Sequence, residues 1–200
     1  MGIYEFAGCV VSYEPLYGLL RRRMETYRSD TERQPDITLD GTKEDYEKLR
    51  KQYPHLSIEE CEYSCAGAEF YMKLLKHQGF MIHASAVEKE GKAYLFSAPS
   101  GTGKSTHAQL WRQTFKGEPI RIINDDKPAV CLQNGVFYAC GTPFSGKTDK
   151  NENRKAPIQG LCMLHRGKTN KIQKITSGEA LPLILPQTLF YGDEEETNLL

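Results

Sequence analysis

At 200 residues the chain is long enough for one domain with a substantial core and a small appended lobe, and too short for two full domains. Its 26 lysines and arginines balance 26 aspartates and glutamates, so no global field favours nucleic acid or an anionic membrane, although a local basic site stays allowed. No apolar run approaches the roughly 18 residues of a membrane span, Met1-Gly2-Ile3-Tyr4-Glu5 lacks a signal pattern, and Phe6 stands where a myristoylation signal needs Ser or Thr, so the chain reads as cytoplasmic.

From the N-terminus the patterning predicts an apolar strand over Ile3 to Val11, an arginine-rich helix from Leu16 to Tyr27, a short strand around Ile37-Thr38-Leu39 and a charged helix opening at Thr42. Residues 1–56 thus read as a small α+β lobe packed on a core formed by 57–200. Arg21-Arg22-Arg23 suits a solvated helix face better than a site for an acidic partner. Ser57-Ile58-Glu59-Glu60 has the form of a capping box, opening a helix that runs through Phe70, Tyr71, Leu74 and Leu75 to a stop at Gly79. Phe80 to Val87 and Lys92 to Ala98 then flank Glu88-Lys89-Glu90-Gly91 as a hairpin.

The second strand of that hairpin runs into Ser97-Ala98-Pro99-Ser100-Gly101-Thr102-Gly103-Lys104-Ser105-Thr106, which reads as a phosphate-binding loop. Gly101 and Gly103 let successive backbone N–H groups turn inward, and a following helix, Ser105 to Phe115 with Ala108, Trp111 and Phe115 on one face, presents its positive end to the same point. Lys104 supplies a mobile cation, the Ser105 hydroxyl a Mg²⁺ ligand, and Ser100, Thr102 and Thr106 complete the cradle. Ala98 stands where the usual motif begins with Gly, so the bland alternative, a Gly/Ser-rich surface turn, is answered by the flanking strand and helix.

Asp125 and Asp126 follow Lys104 by twenty-one and twenty-two residues, at the end of the β-branched run Pro119 to Asn124, an interval that suits a crossover helix and a return strand. Such a pair can divide the labour, one carboxylate holding Mg²⁺ and the other taking a proton from an attacking hydroxyl. Adjacent strand side chains point to opposite faces, so both reach one site only if the strand end bends. An Asn-Asp-Asp turn with no chemistry accounts for the same residues.

Beyond Asp126, Ala129 to Leu132 and Val136 to Cys140 flank Gln133-Asn134-Gly135 as a second hairpin, and Pro157 to Leu164 and Lys171 to Ile175 read as strands. Gly192 to Leu200 resembles the acidic first turns of a helix cut short as its apolar face begins. The γ-phosphate of a nucleotide needs more cations than Lys104, and Lys147, Arg154 and Arg166 are candidates, Arg154 preferred because it lies in a polar loop between two strands. Six scattered cysteines, with one C-x3-C pair at Cys61 and Cys65 and no second metal-like cluster, read as reduced thiols.

His83-Ala84-Ser85-Ala86-Val87, the loop, and Asn124-Asp125-Asp126-Lys127-Pro128 together resemble the kinase core of the HPr kinase/phosphorylase and ATP-dependent phosphoenolpyruvate carboxykinase superfamily. Gly141-Thr142-Pro143-Phe144-Ser145-Gly146-Lys147 and Gly160-Leu161-Cys162 bring the likeness nearer to the smaller HPr kinase-related serine kinases, and it spans about residues 80 to 190. The resemblance implies an α/β (α+β-like) fold, a P-loop kinase core with a mixed, curved sheet. It further implies ATP and Mg²⁺ as cofactors, Asp125 as general base, Asp126 as metal ligand, and His83 near the transferred phosphate. Lys147 gains support from the recurrence of its segment in those kinases. Where HPr kinase/phosphorylases carry a Mg²⁺-binding Glu and a signature Arg, this chain has Pro157 and Gln159, which argues against phosphorolysis and against HPr as substrate. Carboxykinases need further ligands from a longer chain.

The expectation is therefore a kinase that phosphorylates a serine on a peptide or small protein. A nucleotide-binding regulatory module with little transfer, or a kinase of a small hydroxylated molecule, are the alternatives. HPr kinases oligomerise, which leaves a homo-oligomer open among the partners.

Overall fold

The computed structural model describes residues 1–115, 117 and 119–189. The expected strand over Ile3 to Val11 is instead a hairpin, β1 (Gly2–Phe6) and β2 (Cys9–Tyr13), turning on Ala7 and Gly8, both at positive φ. A two-residue turn with both residues left-handed matches the twist of an antiparallel pair, and Ala7 is a residue that hides it from pattern reading. Next come α1 (Gly18–Met24), continued by a 3₁₀ turn to Tyr27, and β3 (Ile37–Thr38), which pairs parallel to β2.

Helix α2 (Lys43–Gln52) starts at a Thr42/Asp45 capping box, and α3 (Ile58–Leu74) at the Ser57/Glu60 box, where the Glu60 amide donates to Ser57 Oγ (3.2 Å) and the Ser57 amide to Glu60 (2.8 Å). Each such cap is worth about 1 kcal/mol.

The run Phe80 to Val87 divides at Ile82-His83 into β4 (Gly79–Met81) and β5 (Ala84–Lys89). The split arises because β4 pairs with β8 (Ala129–Gln133), while β5 lies between β6 (Lys92–Ser97) and β7 (Arg121–Asn124). With β9 (Val136–Cys140) and β10 (Lys155–Met163) they form a seven-stranded mixed sheet, ordered β4-β8-β9-β10-β6-β5-β7. Both β6 and β7 are antiparallel to β5, so they run parallel to each other and end at the same edge of the sheet. The chain is thus a mixed α/β fold.

Helix α4 (Lys104–Thr114) covers β5 and β6, with Ala108 buried among Val87, Phe96 and Ile122, and Trp111 packed against Tyr94 and Phe96. A second core joins the N-terminal strands to α3: Phe6, Tyr27, Phe70, Tyr71 and Phe144 share it, with Phe6 and Phe70 rings 4.7 Å apart. The expected strand Lys171 to Ile175 is irregular chain, and α5 (Ser177–Ile184) follows from a Thr176/Glu179 capping box. The helix expected over Gly192 to Leu200 lies outside the described residues. Among the described residues no helix is long and apolar enough to cross a membrane.

Candidate active site

The loop after β6 takes its shape from two positive-φ glycines, Gly101 (+76°) and Gly103 (+118°). A Cβ on either would meet nothing within 4 Å, so backbone conformation, and not crowding, calls for glycine, and the concave side faces open space. Gly103 caps α4 without any side-chain acceptor, which leaves the first-turn amides free for an anion. Lys104 is buried and donates to the carbonyls of Ala98 (2.9 Å) and Pro99 (3.5 Å), while Ser100, Ser105 and Thr106 stand exposed and Thr102 half-buried around it. Burial lowers the Lys104 pKa, and the negative charges of Asp126 and Asp125 oppose that shift. Both carboxylates thus act on the lysine of the loop.

Their placement follows from a bend at the end of β7. The Asn124 side-chain carbonyl accepts the amides of Asp126 (3.0 Å) and Lys127 (2.8 Å), an Asx turn that rotates Asp126 out of the strand alternation. Asn124 is itself fully buried and donates to the Thr142 carbonyl and hydroxyl, each at 3.1 Å, and Thr142 meets the Tyr71 hydroxyl at 2.8 Å. The aspartate pair is therefore braced from α3 through the Gly141–Lys147 segment.

The two carboxylates differ in environment. Asp125 is buried; Oδ1 accepts from Ser85 Oγ at 2.6 Å, and Oδ2 has no hydrogen-bond partner among the described residues. An unpartnered buried carboxylate oxygen is expensive, and an acceptor hydroxyl would satisfy it. Asp126 is about a quarter exposed (24%) and meets His83 Nε2 at 3.4 Å and the Lys127 ammonium. Burial works against its ionisation, but the His83 hydrogen bond and the Lys127 charge outweigh it and bring its pKa down to about 2. Gly146, at φ +67°, lies so close that a Cβ there would stand 2.6 Å from Asp126 Oδ2.

His83 is held at the β4–β5 break, its amide donating to the Gln187 carbonyl (2.7 Å) and its carbonyl accepting from Ser97 Oγ (2.9 Å). The candidate cations separate. Arg166 donates to the Gly101 carbonyl at 2.6 Å and so lies on the loop. Arg154 is occupied by Glu88 (2.5 Å) and Glu152 (3.4 Å), and Lys147 is exposed, with Glu60 as an electrostatic neighbour. Sequence reasoning missed Ser85 and Lys127 as contacts of the two aspartates, although both stand inside the motifs it singled out, and missed Lys150, whose carbonyl accepts the Asp125 amide at 3.0 Å. The signal that could have found Ser85 is the alternation along β5, which puts it on the face opposite Ala84 and Ala86.

Among the described residues no three His, Cys, Asp or Glu gather in a metal cage. No protein-family model matches the chain, and no curated protein matches it.

Proposed function

We propose that the chain is an ATP-dependent kinase that moves the γ-phosphoryl group to a serine hydroxyl on a peptide or small protein, built on a P-loop kinase core of the HPr kinase and phosphoenolpyruvate carboxykinase type. The observation that carries this reading is the convergence of Lys104, Asp125 and Asp126 at the ends of two parallel strands, with one oxygen of Asp125 buried and unpartnered. Six free cysteines support a reducing, cytoplasmic setting.

In this mechanism the loop amides and Lys104 bind and orient the phosphates of ATP, with Arg166, held on the Gly101 carbonyl, as a further cation. Ser105 and Asp126 are the residues that would hold Mg²⁺, which supplies charge neutralisation on the phosphates when bound. Asp125 accepts the proton of the acceptor hydroxyl at Oδ2, while Ser85 fixes the carboxylate through Oδ1. His83 keeps Asp126 ionised and oriented. Arg154, committed to Glu88 and Glu152, is left out of the phosphate clamp.

One observation favours the second reading, a regulatory nucleotide-binding module: Lys127 already pairs with Asp126, the carboxylate that Mg²⁺ would need. Incubation with γ-labelled ATP, Mg²⁺ and serine-containing peptides decides between them. Label transferred to peptide, and lost in Asp125→Asn, supports the kinase; nucleotide binding with no transfer to any acceptor supports the module.

A further inference from the structure

Strand β10 sits in the middle of the sheet order, yet it is only partly paired. Lys155, Ala156 and Pro157 pair with β9, and Ile158 to Met163 pair with β6 on the opposite side. Pro157, which has no N–H, marks the point where β9 leaves, and the ladder to β6 shifts register between Ile158 and Gly160. Among the described residues no strand covers the other edge of Ile158–Met163. None of these residues is fully buried, unusual for the middle of a seven-stranded sheet.

A cavity of about 760 Å³ lies along this edge, bounded by Leu161, Met163, Ile172, Ile175, Leu183 and Ile184 among others. One added strand of five residues fills roughly 800 Å³, from a strand spacing of ~4.8 Å, a sheet thickness of ~10 Å and a rise of ~3.4 Å per residue. The wall facing β10 is the irregular segment 171–176, and the stretch from His165 to Lys174 carries Arg166, Lys168, Lys171 and Lys174 with no acidic residue. Ile172 is 88% exposed. The edge ends at the phosphate loop: Met163 pairs with Ser97, the Leu164 amide donates to the Ser97 carbonyl (2.8 Å), and Arg166 touches Gly101.

The geometry points to the open edge of β10 as the docking site of the phosphoryl acceptor, an extended acidic peptide that adds as a further strand and brings its end to the loop. This rests on the kinase reading for the peptide's fate, but the docking itself needs no nucleotide. Unpaired backbone N–H and C=O groups on β10 supply register-independent affinity, the apolar wall takes alternate side chains, and the lysines select acidic neighbours. It also accounts for a basic, apolar-lined groove so near a site otherwise built for phosphate.

The test uses a fluorescein-labelled peptide, Asp-Val-Glu-Val-Ser-Val-Glu-Val-Asp, titrated by anisotropy with no ATP present. The expected result is saturable binding, slowed amide exchange confined to 158–163, loss of binding when alternate peptide nitrogens are methylated, and a roughly tenfold weakening in Lys171→Glu/Lys174→Glu. Both lysines are exposed and outside helices and strands, so that variant keeps the fold, and its ATP binding is expected to match the wild type. Equal binding of the methylated peptide, or no saturable binding tighter than about 1 mM, overturns the proposal. Protection of 158–163 that rises with protein concentration and needs no peptide would assign the edge to a second copy, and overturns it too. A separate incubation with γ-labelled ATP and Mg²⁺ reads the kinase step: peptide binding with no transfer to this or any other serine peptide leaves the docking site standing and removes the kinase reading alone.

Discussion

Ser85 Oγ donates to Oδ1 of Asp125 at 2.6 Å, while Oδ2 of the same carboxylate is buried with no hydrogen-bond partner among the described residues. The carboxylate is thus fixed on one side and open on the other, the asymmetry a general base needs. Asp125→Asn keeps the shape and the Ser85 contact but cannot take a proton. Phosphoryl transfer is expected to fall by about 10²- to 10⁴-fold with ATP affinity nearly unchanged, read by single-turnover transfer beside calorimetry.

Gly146 is required twice over, by its positive φ and by the Asp126 carboxylate against its Cα. Gly146→Ala is expected to lower stability by about 1–2 kcal/mol from backbone conformation alone. The collision also displaces the proposed metal ligand, so the variant should need more Mg²⁺ for half-maximal ATP binding. Thermal denaturation and a Mg²⁺ titration read the two effects separately.

Asp126 titrates at about 2, against 3.8 for a free side chain. A depressed carboxylate stabilises the fold at pH values above its unfolded value, and that contribution is lost as pH falls through the folded one. The chain is therefore expected to lose about 2 kcal/mol between pH ~4 and ~2 through this group. Urea unfolding across that window should show a slope that Asp126→Asn flattens; equal slopes in the two proteins would remove the assignment.

Arg166 holds the Gly101 carbonyl from an exposed position, away from any core. Arg166→Ala is expected to weaken ATP binding several-fold, about 1 kcal/mol, without lowering the melting temperature. Arg154→Ala should do the reverse, because its guanidinium is bound to the mostly buried Glu88 carboxylate, which loses that partner, while Glu152 keeps Arg121 at 3.4 Å.

The strand, glycine turn and helix around Gly101 and Gly103, the Ser57 cap, the Asn134-Gly135 hairpin and the bend demanded of Asp125-Asp126 were all legible in the sequence, because each depends on residues within a few positions of one another. What could not be read depends on distant partners. The break at Ile82-His83 exists because β4 and β5 choose different neighbours, and the alternating Lys171 to Ile175 stays irregular because β10 lies across a cavity from it. Arg154 stands in a polar loop by sequence, and it meets Glu88 because that loop runs along β7, the Glu152 amide donating to the Ile123 carbonyl (3.1 Å), while β7 pairs with β5, which carries Glu88. The Ala7-Gly8 turn carries too weak a local signal to interrupt an apolar run.

The most direct test of the account is calorimetry of ATP with and without Mg²⁺ on the wild type and on Lys104→Ala. Lys104 is anchored on the loop carbonyls, within the electrostatic reach of both aspartates. The account predicts Mg²⁺-dependent ATP binding by the wild type, weakened at least tenfold, about 1.4 kcal/mol, in the variant. Absence of ATP binding by the folded wild type, or equal binding by both proteins, would contradict it.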